Sequence, residues 1–152
     1  MKTFSADRSA IFANSGVCAI QSYCLQNEPA DLPLFYWRPV HGGVNDVGNT
    51  LSEKLFGTYK TMVAKLVKSK RKCIITGILP KYRAGMEWSS RALGMNERET
   101  RKLCKENNIQ FLDYWGRFWD KKELYSMDGY HFSRSGVLML SELYEKELTQ
   151  GN

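Results

Sequence analysis

The stretch Cys73-Ile74-Ile75-Thr76-Gly77-Ile78-Leu79, closed by Pro80, constrains the fold more than any other segment. It is apolar at even and odd positions alike, so neither face of a strand built from it can meet water. It is short for a helix and rich in strand-forming residues. A strand that is apolar on both faces belongs inside a parallel sheet with helices on either side. Two other segments fit as its neighbours. Leu34-Phe35-Tyr36-Trp37, leading to Val40, predicts a strand that Pro39 weakens. Ile109-Gln110-Phe111-Leu112 predicts another, ending at Asp113.

Helical periodicity fills the intervals. Thr50 and Glu53 have the spacing of a capping box. Beyond it Leu51, Leu55, Phe56, Tyr59, Met62, Val63, Leu66 and Val67 recur at helical spacing, and Lys68 to Lys72 suits the helix's C-terminal end. A second helical region runs roughly from Glu87 to Asn107, with an irregularity around Gly94 and Asn96. A last helix, about Ser133 to Leu148, carries Val137, Leu138, Leu140, Leu143, Tyr144 and Leu148. Strand-helix alternation of this kind implies parallel strands joined by right-handed crossovers, an α/β layered sheet.

The chain has 152 residues, one domain's worth, with 43% hydrophobic and 25% charged residues. That composition supports a packed core and argues against wholesale disorder. The formal charge of +6 fits an acidic partner, although many soluble enzymes carry as much. No apolar run approaches the roughly 18–20 residues of a membrane span. Met1 to Phe12 contains Asp7 and Arg8 and lacks a signal peptide's apolar stretch, so a cytoplasmic location is expected. Cys18, Cys24, Cys73 and Cys104 form no C-x-x-C pair and only two histidines exist, which leaves no zinc framework. Neither a metal nor another cofactor is expected, and a reducing compartment is the default.

In parallel sheets, chemistry gathers beyond the carboxyl ends of the strands. Two segments there carry polar residues. The first is His41-Gly42-Gly43-Val44-Asn45-Asp46, after the first of these strands. It reads as a plain Gly-Asn-Asp turn. It also reads as a turn that aims the Asn45 amide at a developing oxyanion. The second is Asp128-Gly129-Tyr130-His131, shortly before the last helix. It reads as a loop histidine with Asp128 in a turn and Ser133 capping the helix. It also reads as a general base whose tautomer is fixed by a carboxylate three residues earlier.

Taken together, Gly43-x-Asn45-Asp46 after an early strand and Asp128-x-x-His131 before the last helix resemble the SGNH (GDSL-type) hydrolase family. Ile74 to Pro80, Phe111-Leu112-Asp113, Trp119 and Asp128 to Gly136 extend the resemblance to the esterase-like domain of LINE (CR1/L2-like) retrotransposon first open reading frames. It covers roughly Pro33 to Leu148 and divides the chain into a divergent segment, 1–32, and a hydrolase-like domain, 33–150. The resemblance implies a three-layer α/β/α sandwich of flavodoxin-like type with a mostly parallel sheet. It implies that Asp128 and His131 are the acid and base of a Ser-His-Asp triad acting on a small acyl or acetyl ester. It assigns oxyanion donation to Asn45 and Gly43, with Gly16 as the second backbone donor.

One block of the family pattern has no counterpart. Family members begin with a strand ending in Gly-Asp-Ser, whose serine is the nucleophile, and this sequence contains no such tripeptide. Ser15, beside Gly16, is the nearest candidate by position, while Ser5 and Ser9 have no motif around them. The expectation is an N-terminally truncated hydrolase whose first strand is missing, or is replaced by a segment such as Ser9 to Ile20. Losing that strand exposes a sheet edge open to self-association. The alternative expectation is a catalytically inactive remnant that binds nucleic acid or another copy of itself.

Further features bear on these alternatives. Lys65, Lys68, Lys70, Arg71, Lys72, Lys81 and Arg83 are interrupted by no acidic residue, and Tyr82 lies among them. The run spans a helix end, a buried strand and a loop, so it is not one continuous nucleic-acid-binding face. Tyr114, Trp115, Phe118, Trp119, Tyr125 and Tyr130 either cap the core or line an acyl pocket near His131. Trp37 and Trp88 read as core residues, and His41 reads as a structural residue of its turn.

Overall fold

The computed structural model describes residues 38–40, 42, 44, 46–68 and 73–150. Within them three short parallel strands form one sheet, β1 (Arg38–Val40), β2 (Cys73–Thr76) and β3 (Gln110–Leu112), in that spatial order. Arg38 pairs with Cys73 and Val40 with Ile75 on one side of β2, while Ile74 pairs with Gln110 and Thr76 with Leu112 on the other. The most apolar strand is therefore flanked on both edges, as its composition requires. The backbone stays buried past β2 through Gly77, Ile78, Leu79 and Pro80. The expected first strand at Leu34 to Trp37 lies outside the described residues, as does the Ser9 to Ile20 segment. The strand present is Arg38–Val40, which contains Pro39.

Alternation along β2 sorts the core into two layers. Cys73 and Ile75 face Leu55, Tyr59, Met62, Val63 and Leu66 of α1 (Ser52–Lys68) together with Leu103 and Cys104 of α3 (Arg101–Glu106). Ile74 faces the other way, toward Leu140 and Tyr144 of α5 (Arg134–Gln150) and Phe118 of the short helix α4 (Trp115–Phe118). The Thr76 hydroxyl hydrogen-bonds to the Tyr144 hydroxyl inside this second layer. Helices thus cover both faces of a parallel sheet, the α/β layering expected from the sequence.

The expected irregularity around Gly94 and Asn96 is a change of helix type. α2 (Met86–Gly94) passes into a π-helical segment, Met95–Thr100, before α3 resumes. A π turn seats an extra residue, and Asn96 on this turn faces inward, only 1% exposed. Its amide completes the ladder where β2 runs out. Ile78 N–H donates to Asn96 Oδ1 at 2.7 Å, and Asn96 Nδ2 donates to the Ile78 carbonyl at 2.9 Å.

The helix starts split. The expected capping box at Thr50 and Glu53 does not form. α1 begins at Ser52, and its entry is held from outside by Arg91 of α2, whose guanidinium donates to the Thr50 carbonyl and the Ser52 hydroxyl. Leu51 and Val67, expected on the apolar stripe, are exposed. Ser133 does cap α5: its Oγ accepts from Gly136 N–H at 3.2 Å and donates to the Glu123 carbonyl at 2.6 Å. Gly136 is required there, because a Cβ at that position would sit 2.0 Å from the Leu124 carbonyl oxygen.

Candidate active site

The segment between Tyr125 and Phe132 forms a tight excursion closed by an antiparallel bridge between those two residues. Ser126 N–H donates to the His131 carbonyl at 2.8 Å, and Gly129 N–H donates to the Ser126 carbonyl at 3.0 Å. Gly129 takes φ +75°, a left-handed conformation that glycine adopts without a Cβ penalty. Asp128 organises the interior of the turn. Its Oδ1 accepts from Tyr130 N–H at 2.8 Å, from His131 N–H at 2.9 Å and from the Ser126 hydroxyl at 2.9 Å.

The second carboxylate oxygen reaches the imidazole. Asp128 Oδ2 and His131 Nδ1 are 2.5 Å apart. The hydrogen bond from the His131 ring, followed by those from the His131 and Tyr130 backbone N–H groups, holds the Asp128 carboxyl far below the ordinary carboxylate range. Beside an ionised Asp128 a neutral imidazole carries its proton on Nδ1, and in that form the lone pair lies on Nε2. The His131 side chain is 61% exposed, and among the described residues Nε2 has no hydrogen-bond partner. The arrangement is chemically that of an oriented base open to a ligand.

This turn is tied to the end of β2. Tyr82 N–H donates to the Gly129 carbonyl at 3.0 Å, the Tyr125 hydroxyl donates to the Pro80 carbonyl, and the Arg83 side chain packs over Gly129. His131 is thereby fixed near the carboxyl edge of the sheet. Following β1, Gly42 lies at the same edge, where the buried Tyr59 hydroxyl of α1 donates to its carbonyl at 3.2 Å. The Asp46 carbonyl then accepts from Asn49 and Thr50 N–H, closing the next turn. Asn45, Gly43 and His41 lie outside the described residues, as do Gly16 and Ser15.

Lys81, the first residue past Pro80, is clamped between two rings. Its ammonium lies 4.9 Å from the Trp88 ring centroid and 5.0 Å from that of Tyr130, the neighbour of His131. Burial lowers its pKa below the ordinary lysine value. Trp88 is half-buried, and its indole N–H is buried without a hydrogen-bond acceptor among the described residues. On its other side the indole edge meets Gly48, where a Cβ would stand 3.6 Å from Trp88 Cδ1.

In the sequence Lys81 belongs to a basic run and Trp88 is expected in the core. Nothing in their spacing from Tyr130 brings the three together; the one usable signal is a cation directly after the proline that ends an inner strand. The basic run itself divides between the two ends of β2, with Lys65 and Lys68 on α1 before it and Lys81 and Arg83 after it. Of the aromatic cluster, Trp115, Phe118 and Tyr125 are buried in the core, Trp119 is exposed on Trp115, and Tyr130 stands beside His131. Asp113 serves the fold by accepting from Trp115 N–H and pairing with Arg101.

Comparison with known proteins places this geometry in context. The esterase domain of the ZfL2-1 ORF1 protein, from the zebrafish ZfL2-1 retrotransposon, superposes with a TM-score of 0.60 at 34% identity, over 72% of this chain and 70% of that one. An acylhydrolase structure from Bacteroides fragilis matches at TM-score 0.61 and 21% identity, over 76% of this chain and 62% of that one. A mutant of the esterase AlinE4 matches at TM-score 0.57 and 16% identity, over 91% and 72% of the respective chains. The latter two likenesses concern the fold alone. No family model and no curated protein sequence matches the chain. Among the described residues no helix is long and apolar enough to cross a membrane.

Proposed function

The chain belongs to the family of esterase domains found in LINE first-open-reading-frame proteins, an SGNH-type α/β fold, and on that footing we propose that it is an ester hydrolase with His131 as general base and Asp128 as its orienting carboxylate. The observation that carries the reading is the 2.5 Å contact between Asp128 Oδ2 and His131 Nδ1, made by a carboxylate that also accepts two backbone N–H groups while Nε2 stays open.

In the proposed reaction Nε2 takes the proton of an attacking hydroxyl as that oxygen bonds to the ester carbonyl carbon. Asn45 and the Gly43 N–H donate to the carbonyl oxygen as it becomes an oxyanion, with Gly16 as the further donor. His131 then returns the proton to the departing alcohol oxygen. Asp128 stays ionised throughout and stabilises the imidazolium. The nucleophile is unassigned. Ser15 is its positional candidate, and without a serine in reach the same base activates water, more slowly.

The test is hydrolysis of p-nitrophenyl acetate by the wild type and by His131→Ala. Loss of at least about 100-fold in kcat/KM is expected on removing the base. Equal rates for the two proteins would overturn the reading.

A further inference from the structure

We propose that Lys81, clamped between Trp88 and Tyr130, recognises an anionic oxygen group, carboxylate or phosphate, carried by the substrate. This proposal rests on the esterase reading for its reaction but not for its binding site.

Position carries the first part of the argument. Tyr130 precedes His131, and its ring is one wall of the clamp. Trp88 is the other wall and packs against Gly48, in the turn that follows Asn45-Asp46. Lys81 therefore stands between the turn bearing the candidate base and the turn following the candidate oxyanion block. It does so at the carboxyl edge of the sheet, where α/β folds bind their ligands.

Unspent bonding capacity carries the second part. Among the described residues the Lys81 ammonium has neither a carboxylate partner nor a hydrogen-bond acceptor. Two other cations at this end are committed: Arg91 holds Thr50 and Ser52, and Arg101 pairs with Glu97 and Asp113. Arg83 lays its aliphatic stem over Gly129. Ring faces hold a cation in place but accept none of its three N–H bonds in the way an oxygen does. Two rings also keep water from two of its sides, which strengthens attraction to an arriving anion. An ammonium with open N–H bonds and a positive charge selects for a negatively charged oxygen ligand.

The test separates binding from turnover. In the first arm, succinate and inorganic phosphate are titrated separately into the protein at constant ionic strength, and the Trp88 indole and Tyr130 amide resonances are followed by NMR. Saturable shifts are expected with at least one of the two anions, and which one saturates identifies the group. Lys81→Met should weaken that affinity at least 10-fold, and Lys81→Arg should retain it. Shifts that track ionic strength alone, or equal affinities for wild type and Lys81→Met, overturn the proposal. Unchanged thermal melting of Lys81→Met shows that any loss is not unfolding.

In the second arm, kcat/KM is compared between the p-nitrophenyl monoester of glutaric acid and p-nitrophenyl acetate. Lys81→Met should lower the anionic-to-neutral preference at least 10-fold, through KM. An unchanged preference overturns the proposal. If the wild type turns over neither ester, the esterase reading fails, and the binding arm alone decides for or against Lys81.

Discussion

Replacing Asn96 tests whether a side chain has taken over the work of a strand. Asn96→Ala removes both hydrogen bonds to Ile78, a residue only 1% exposed. A buried polar group left unpaired costs about 1–3 kcal/mol. Two such groups cost about 2–6 kcal/mol, and the central expectation is about 4 kcal/mol. For a chain of this size each kcal/mol corresponds to roughly 2–4 °C, so Tm should fall by about 8–16 °C. Urea unfolding followed by tryptophan fluorescence measures the loss directly, as a midpoint lower by roughly 2 M at a slope of about 2 kcal/mol/M.

Asn96→Asp sharpens the test by adding a sign. Protonated, the introduced carboxyl donates to the Ile78 carbonyl and accepts from the Ile78 N–H, as the amide does. Ionised, it sets a buried charge against a carbonyl oxygen, so its folded-state pKa must rise above the unfolded value near ~3.9. A raised folded pKa means the unfolded chain releases the proton first as pH increases. Stability relative to wild type should be nearly intact at pH about 4 and lost as pH rises toward and through the folded pKa. An Asn96→Ala loss below about 1 kcal/mol, or an Asn96→Asp deficit equal at pH 4 and pH 7, would refute the reasoning.

Three further outcomes follow from the geometry. Gly136→Ala would stabilise an isolated helix by about 1 kcal/mol, yet here its Cβ meets the Leu124 carbonyl at 2.0 Å, so Tm should fall instead, and a rise would sink the steric account. Asp128→Asn should reduce p-nitrophenyl acetate kcat by about 10²–10⁴-fold with little change in Tm, because the tautomer-fixing acceptor is lost at an exposed position; a reduction under threefold would contradict the proposed role. The Asp128 carboxyl, followed by ¹³C NMR, should titrate well below its ordinary value of 3.8 because of its bonds from the His131 ring and from the His131 and Tyr130 N–H groups. Its contribution to turn stability is then present above pH 3.8 and is lost as pH falls toward the depressed pKa, and a midpoint at or above 3.8 contradicts those bonds.

The layered fold was legible because its signal is periodic. The doubly apolar run at Cys73 to Leu79 and the helical spacing from Leu55 to Leu66 each declare a buried face without help from distant residues. The Asp128–His131 contact was legible for a related reason: the two residues lie three apart in one turn. What escaped was non-local. The start of α1 is set by Arg91, 41 residues from Thr50, which displaced a cap that local spacing favoured. Gly94 and Asn96 marked a disturbed helix, but the purpose of the disturbance depends on Ile78, 18 residues away. Trp88 read as core because apolar patterning carries no mark of an indole edge left unsatisfied beside a lysine.

The closed turn around Asp128 has an entropic consequence. His131 lies at the surface, where a loop residue ordinarily samples many backbone states. Here Ser126, Gly129, Tyr130 and His131 each commit their N–H within the turn, and Tyr82 binds it from outside. Holding a residue in one backbone well costs roughly 1–2 kcal/mol in conformational entropy, and for these residues that loss belongs to folding rather than to ligand capture. A ligand reaching Nε2 would therefore meet an imidazole whose backbone freedom is already gone. In the proposed reaction, binding free energy can then go into orienting the ester instead of ordering the protein.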